Sequence, residues 1–149
     1  MGPPRNKADN PLTDAVEVNS EIGGKAIAAG LGVPEEKIEV VRSGLDLNAF
    51  GSSTKRSEIR SQLGVDNDRH LVVYVGRLLQ VKGVEYGIRA FASALAQSPG
   101  MHMALAGEGD QLDHLKCLAL ELGIRENLTF LGVRNDLPDL LSAADSVLL

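Results

Sequence analysis

Arg77 and Lys82 stand between an apolar run, "LVVYV" (Leu71 to Val75), and a helical pattern that begins near Val84. Two cations at the mouth of a strand-to-helix turn can bind phosphate. Gly76, just before Arg77, has no Cβ and lets a backbone or ligand come close. Lys82 and Gly83 lead into the helix, whose first-turn N–H groups lack intrahelical partners and favour an anion. The helix dipole contributes only about 0.3–1 kcal/mol when exposed. Each hydrogen bond from a charged donor contributes about 1.5–3 kcal/mol. The Arg77 and Lys82 side chains would therefore carry most of a diphosphate site. Both residues also fit as ordinary solvated loop cations, and spacing alone leaves the two readings open.

Other chemistries find less support. "GEGD" after the apolar "MHMALA" hints at a dinucleotide loop, but Leu112 stands where G-x-G-x-x-G needs its third glycine. Gly107 and Gly109 are expected to serve a turn, with a backbone approach to a ligand left open. His70, His102 and His114 are isolated from one another and read as structural or solvated. Ser20, Ser43 and Ser52 lack the G-x-S-x-G setting of an esterase. Glu35 and Glu36, beside Pro34, read as a solvated turn. The lone Cys117 can form neither a disulfide pair nor a zinc cluster, and is expected as a small buried hydrophobe on a helix. A net charge of −5, 3% aromatic residues and no Trp argue against a nucleic-acid binder, which needs a basic face or stacking rings. No apolar run approaches the roughly 18 residues of a membrane span. The opening "MGPPRNKADNPLTD" lacks the apolar region of a secretory signal and is expected to fray.

The elements that would position these residues follow from periodicity. The chain has 149 residues, the size of one ordinary domain. "AVEVNS" (Ala15 to Ser20) and "KIEVV" (Lys37 to Val41) are strand candidates. Between them lies a weak helix carrying Gly23 and Gly24, ended by Gly30, Gly32 and Pro34. A polar helix follows over 53–64, with Ser53 as N-cap and Gly64 as its stop. From Leu71 the rhythm is regular. Strands are expected at 71–75, 101–106, 128–132 and from Ser146, and helices at 84–97, around 112–122 and after Asp136, placed as a cap. Strands that are apolar on both faces, alternating with helices, predict a parallel, doubly wound α/β sheet. The strand from Ser146 would lie beside the Leu71–Val75 strand, at the topological switch point, and would leave a hydrophobic edge open to pairing. The chain reads as half a sheet.

Five segments, in order, resemble the nucleotide-sugar-dependent glycosyltransferases of family 4, which have the GT-B fold. "AVEVNSE" is similar to the last strand of that family's N-terminal domain. "KIEVVRSGLDLNAF" resembles the linker into the second domain, with Arg42 and Ser43 where the family usually shows Pro-Asn. "VGRLLQVKG", "ALAGEGD" and "LTFLGVRNDLPDLLSAADSVLL" resemble its "GRL...KG", "G.Gp" and "FlG" elements. The resemblance covers roughly Asp14 to the end.

It implies a partial GT-B chain: residues 1–50 as a remnant of the acceptor-binding N-terminal domain plus linker, and 51–149 as the first half of a Rossmann-like, nucleotide-sugar-binding C-terminal domain. It implies that Arg77 and Lys82 bind the donor diphosphate and stabilise its charge as it leaves, as catalytic residues. Gly76 would line the donor site, and Gly132 and Val133 would place backbone against the nucleotide base. The implied chemistry is retaining transfer from a nucleoside-diphosphate sugar in the cytoplasm, with no metal and no cofactor. The family's E-x7-E element and most of its acceptor domain are missing, so the chain is expected to be a fragment with little activity alone. Peripheral membrane contact belongs to a full-length enzyme only. The alternative is a non-catalytic, Rossmann-like nucleotide-binding or interaction module, completed by another chain or by self-association at the Ser146 edge.

Overall fold

The computed structural model describes residues 14–50 and 55–148. It divides between Asp46 and Leu47 into two compact units. In the first unit, β1 (Val16–Val18), α1 (Glu21–Leu31) and β2 (Ile38–Val40) form a βαβ step, with β1 and β2 paired in parallel. Ser20 begins the helix by accepting the Gly23 N–H at 3.1 Å. Gly32, with φ 66°, ends it by donating to the Ala28 carbonyl. Gly30 lies within α1 and does not help to stop it. Gly24 is buried, and a Cβ on it would stand 3.1 Å from Ile38 Cγ2 and 3.4 Å from a Val18 methyl. The glycine that costs helix propensity therefore lets α1 lie flat on the strand pair.

The second unit is a four-stranded parallel sheet in the order β5-β4-β3-β6. Its strands are β3 (His70–Val75), β4 (Met101–Ala106), β5 (Leu128–Gly132) and β6 (Ser146–Leu148). Its helices are α2 (Arg56–Gln62), α3 (Val84–Gln97), α4 (Leu112–Glu121) and α5 (Leu137–Ala143). The expected position of β6 beside β3 is met, with Val72, Val73 and Tyr74 opposite Ser146, Val147 and Leu148. The expected cap Ser53 lies outside the described residues. Gly64, at φ 66°, follows the end of α2 as expected.

Both faces of the sheet are covered, which explains the continuous apolar runs of β3 and β4. Tyr74, Met103 and Leu105 pack on one side with Ile88 and Phe91 of α3 and Leu118 of α4. The alternate residues Leu71, Val73, Ala104 and Ala106 pack on the other side with Ile59 of α2 and Leu140 of α5. Cys117 is exposed, not buried as its residue type suggested. Leu115, Leu118 and Ala119 occupy the buried stripe of α4, and position 117 falls at helical spacing on the outward face.

His102 is 5% exposed within β4, and its Nε2 lies 2.9 Å from Thr129 Oγ1 while Nδ1 has no partner among the described residues. Burial, with the Arg69 guanidinium adding to it, pushes the imidazole from 6.5 down to about 4. The folded state therefore binds fewer protons than the unfolded state between those values, and stability rises with pH across the window. The contribution is complete above pH 6.5 and lost by pH 4. Urea unfolding at stepped pH is expected to show a loss on the order of 3 kcal/mol on acidification through this range. That slope should flatten in His102→Leu; an unchanged slope would exclude this residue as its source.

Candidate functional site

The carboxyl ends of β3, β4 and β5 are laced together by backbone hydrogen bonds. The Gly76 N–H donates to the Ala106 carbonyl at 3.0 Å, and the Leu78 N–H to the Glu108 carbonyl at 2.8 Å. The Gly107 N–H donates to the Gly132 carbonyl at 2.7 Å. These chains approach so closely that side chains do not fit. A Cβ on Gly107 would stand 1.9 Å from the Gly76 carbonyl oxygen, and one on Gly109 2.2 Å from that of Leu78. The "GEGD" glycines thus serve a loop-on-loop contact. Tyr74 Oη donates to the Arg77 carbonyl at 3.1 Å, and burial raises its phenol pKa, keeping the donor protonated.

A cavity of about 460 Å³ opens over these ends. Val75, Leu79, Val133 and Leu137 give it an apolar wall; Arg77, Glu108 and Arg134 give it charge. Arg77 and Glu108 are exposed, and neither side chain has a hydrogen bond or ion pair among the described residues. Arg134 is committed: its Nε donates to Asp136 Oδ1 at 2.8 Å and its Nη2 to Oδ2. That fork lowers the Asp136 carboxyl pKa against the opposing effect of burial. Asp136 holds the N-cap position of α5 as expected, yet its side chain caps nothing because Arg134 has taken it.

Gly76, Arg77 and Val133 thus come together, with Gly132 at the base of the same loop at φ 67°. Lys82 does not join them. It is exposed on the single 3-10 turn Gln80–Lys82, outside the cavity lining. The first residues of α3, Val84 and Glu85, line a separate cleft of about 80 Å³, and Leu79 borders both. His114 Nε2 lies 3.1 Å from Glu85 Oε2 on the outer surface, and His70 Nε2 lies 2.9 Å from Ser146 Oγ. Neither histidine reaches the cavity. Among the described residues, no three His, Cys, Asp or Glu side chains group to hold a metal ion, and no helix is long and apolar enough to cross a membrane.

The family model for glycosyl transferases group 1 matches residues 55–149. The chain belongs to this family. It is 35% identical over 121 residues to an uncharacterised glycosyltransferase of Methanocaldococcus jannaschii, a match covering 78% of the chain and 31% of that relative. It is 34% identical over 141 residues to the D-inositol 3-phosphate glycosyltransferase of Mycobacterium bovis, covering 90% of the chain and 28% of the relative. Among solved structures, HepE of Anabaena in complex with UDP-glucose superposes with a TM-score of 0.81 at 31% identity, over 90% of the chain and 37% of HepE. The parallel α/β architecture of this group 1 glycosyltransferase chain is that of GT-B enzymes. The chain spans about a third of the length of these relatives.

Glu108 and Arg134 line the cavity but do not stand out in the sequence. The one signal for Glu108 is its place between two glycines immediately after an apolar strand. For Arg134 it is an Asp two residues on, close enough to pair within the loop.

Proposed function

We propose that the second unit binds the diphosphate of a nucleoside-diphosphate sugar, as the donor half-site of a retaining, family 4 glycosyltransferase acting in the cytoplasm. The observation that carries the reading is Arg77, an uncommitted cation on a cavity at the carboxyl end of a parallel sheet, where ligands of such sheets bind. Gly76 brings backbone to the same wall, and Val133 beside Leu137, with Gly132 just before it in the chain, would offer the base a backbone edge. Lys82 belongs to the proposal as a second cation. Its flexible four-carbon stem lets a point charge swing toward a bound phosphate from the neighbouring turn. Both cations would offset the charge that develops on the departing diphosphate. Residues 1–50 are assigned to the end of the acceptor domain and the linker, and 51–149 to the first half of the donor domain. Transfer requires the rest of such an enzyme, so the chain alone is expected to bind donor and turn over little of it.

Calorimetric titration with UDP-glucose tests the assignment. Arg77→Ala should weaken binding about tenfold or more, the scale of one hydrogen bond from a charged donor, and Lys82→Ala by less. Binding unchanged in both variants would sink it. A second reading, an interaction module without chemistry, draws on the β6 edge, where Val147 is 46% exposed. It predicts self-association in light scattering together with donor binding that ignores Arg77.

A further inference from the structure

Tyr74, next to last in β3, is 4% exposed and packs in the core cluster with Leu78, Ile88 and Phe91. Its Oη donates to the Arg77 carbonyl at 3.1 Å. Among the described residues no backbone donor reaches that carbonyl, so the phenol is its partner. A Cβ on Gly76 would stand 2.8 Å from the same Oη and 3.1 Å from Cζ. The volume that a side chain at position 76 would take is therefore filled by the phenol. Tyr74 itself stays outside the cavity lining, whereas Gly76 and Arg77 belong to it.

One peptide unit joins Arg77 to Leu78, and both of its poles are pinned. Its N–H, that of Leu78, donates to the Glu108 carbonyl at 2.8 Å, and its carbonyl, that of Arg77, accepts from Tyr74. The unit is planar, so fixing both poles fixes how the chain leaves the Arg77 Cα and where its side chain starts. The negative end of the carbonyl also points at a buried phenol and not into the cavity. Released from Tyr74, it would seek another partner, and turned to the cavity it would repel an anion. A cation placed before its ligand arrives lowers the ordering cost of binding. We infer that Tyr74 is a positioning residue of the donor site, its phenol pinning the peptide that carries Arg77, and that position 76 is a glycine to admit this phenol. The inference rests on the donor-site reading above, in which Arg77 meets the diphosphate. Tyr74 touches no ligand and acts through Arg77.

The experiment titrates the whole chain with UDP-glucose by phosphorus NMR, which follows binding into the millimolar range and keeps weak variants measurable. Wild type, Tyr74→Phe, Arg77→Ala and the double variant are compared. Tyr74→Phe keeps the ring and its packing, and circular dichroism checks that each variant folds. Tyr74→Phe should weaken binding about fivefold, the scale of one neutral hydrogen bond. In the Arg77→Ala background the same change should cost nothing further, because a residue that acts through Arg77 has nothing left to position. A merely structural role would cost the same factor in both backgrounds. At saturation the bound phosphorus resonances, which report the charge beside them, should move in Tyr74→Phe toward their positions in Arg77→Ala. The inference is overturned if Tyr74→Phe binds as wild type does, loses the same factor in both backgrounds, or leaves the bound resonances unmoved. The donor-site reading survives each of these results whenever Arg77→Ala weakens binding. An Arg77→Ala protein that binds as wild type does, or a wild type that binds no UDP-glucose, overturns that reading and this inference with it.

Discussion

Replacing Gly107 with alanine is expected to lower the unfolding free energy by about 3 kcal/mol or more and to abolish nucleotide binding. The added Cβ would sit 1.9 Å from the Gly76 carbonyl oxygen, which is backbone and cannot swing aside as a side chain can. Relief requires the β3 and β4 loops to part. The Gly76 N–H then leaves Ala106 and the Leu78 N–H leaves Glu108, each bond worth about 1 kcal/mol. Strain in whatever contact remains adds to that loss. The wall carrying Arg77, Glu108 and Val133 is built from these same loops, so stability and binding should fall together. Gly100→Ala is the control: nothing lies within 4 Å of its added Cβ, and the change should stay within about 0.5 kcal/mol of wild type. Urea unfolding and UDP-glucose titration check both. A Gly107→Ala protein as stable as the control would mean that the loops are not locked together.

The sheet was legible because its signal is local. Apolar runs of strand length alternate with patterns of helical period, and the strand order follows from right-handed crossovers and the switch point. What escaped depends on residues far apart in sequence. "GEGD" shows two glycines at a turn, but that their missing side chains admit the Gly76 and Leu78 carbonyls is visible only once β3 and β4 are in register. Asp136 carries a good cap sequence, and the arginine two residues before it takes the carboxylate instead. Lys82 reads as the twin of Arg77 along the chain, yet the 3-10 turn Gln80–Lys82 turns it away from the cavity lining. Cys117 was misjudged from its type, because the phase of α4 decides burial and the leucines set that phase. The segment "STKRSEIRSQLG" reads as a polar helix, and nothing in its pattern marks Arg60, which is fully buried.

Arg60 carries the second large effect. Arg60→Met is expected to cost about 3–5 kcal/mol, the range for breaking a buried ion pair by removing one partner. Its Nη1 donates to the Ala143 carbonyl at 2.9 Å and to Asp145 Oδ2 at 3.1 Å; its Nη2 donates to the Asp66 carbonyl at 2.8 Å and to that of Arg69. Methionine fills much of the volume but satisfies none of these acceptors. Lysine keeps the charge but cannot reproduce the planar fork, so Arg60→Lys should recover little. Asp145 Oδ2 also accepts the Leu71 N–H at 2.8 Å, and Oδ1 accepts from Arg56. Burial would raise the Asp145 carboxyl, but the Leu71 amide, Arg56 and Arg60 together bring it from 3.8 down to about 2. A depressed carboxyl stabilises fully above pH 3.8 and loses its contribution as pH falls through 2, so the penalty in Arg60→Met should shrink in strong acid. Arg56, whose side chain is 40% exposed, should cost less when replaced by methionine. In the pair Arg60→Met with Asp145→Asn, the combined loss should fall short of the sum, because the two residues share one network. Hydrogen exchange locates the effect. Asp145 joins the end of α5 to the start of β6 and holds the Leu71 amide of β3, so exchange should quicken in β6 and spare β4 and β5. Uniform acceleration across all four strands would instead make Arg60 a general support of the core and not a latch on the sheet edge.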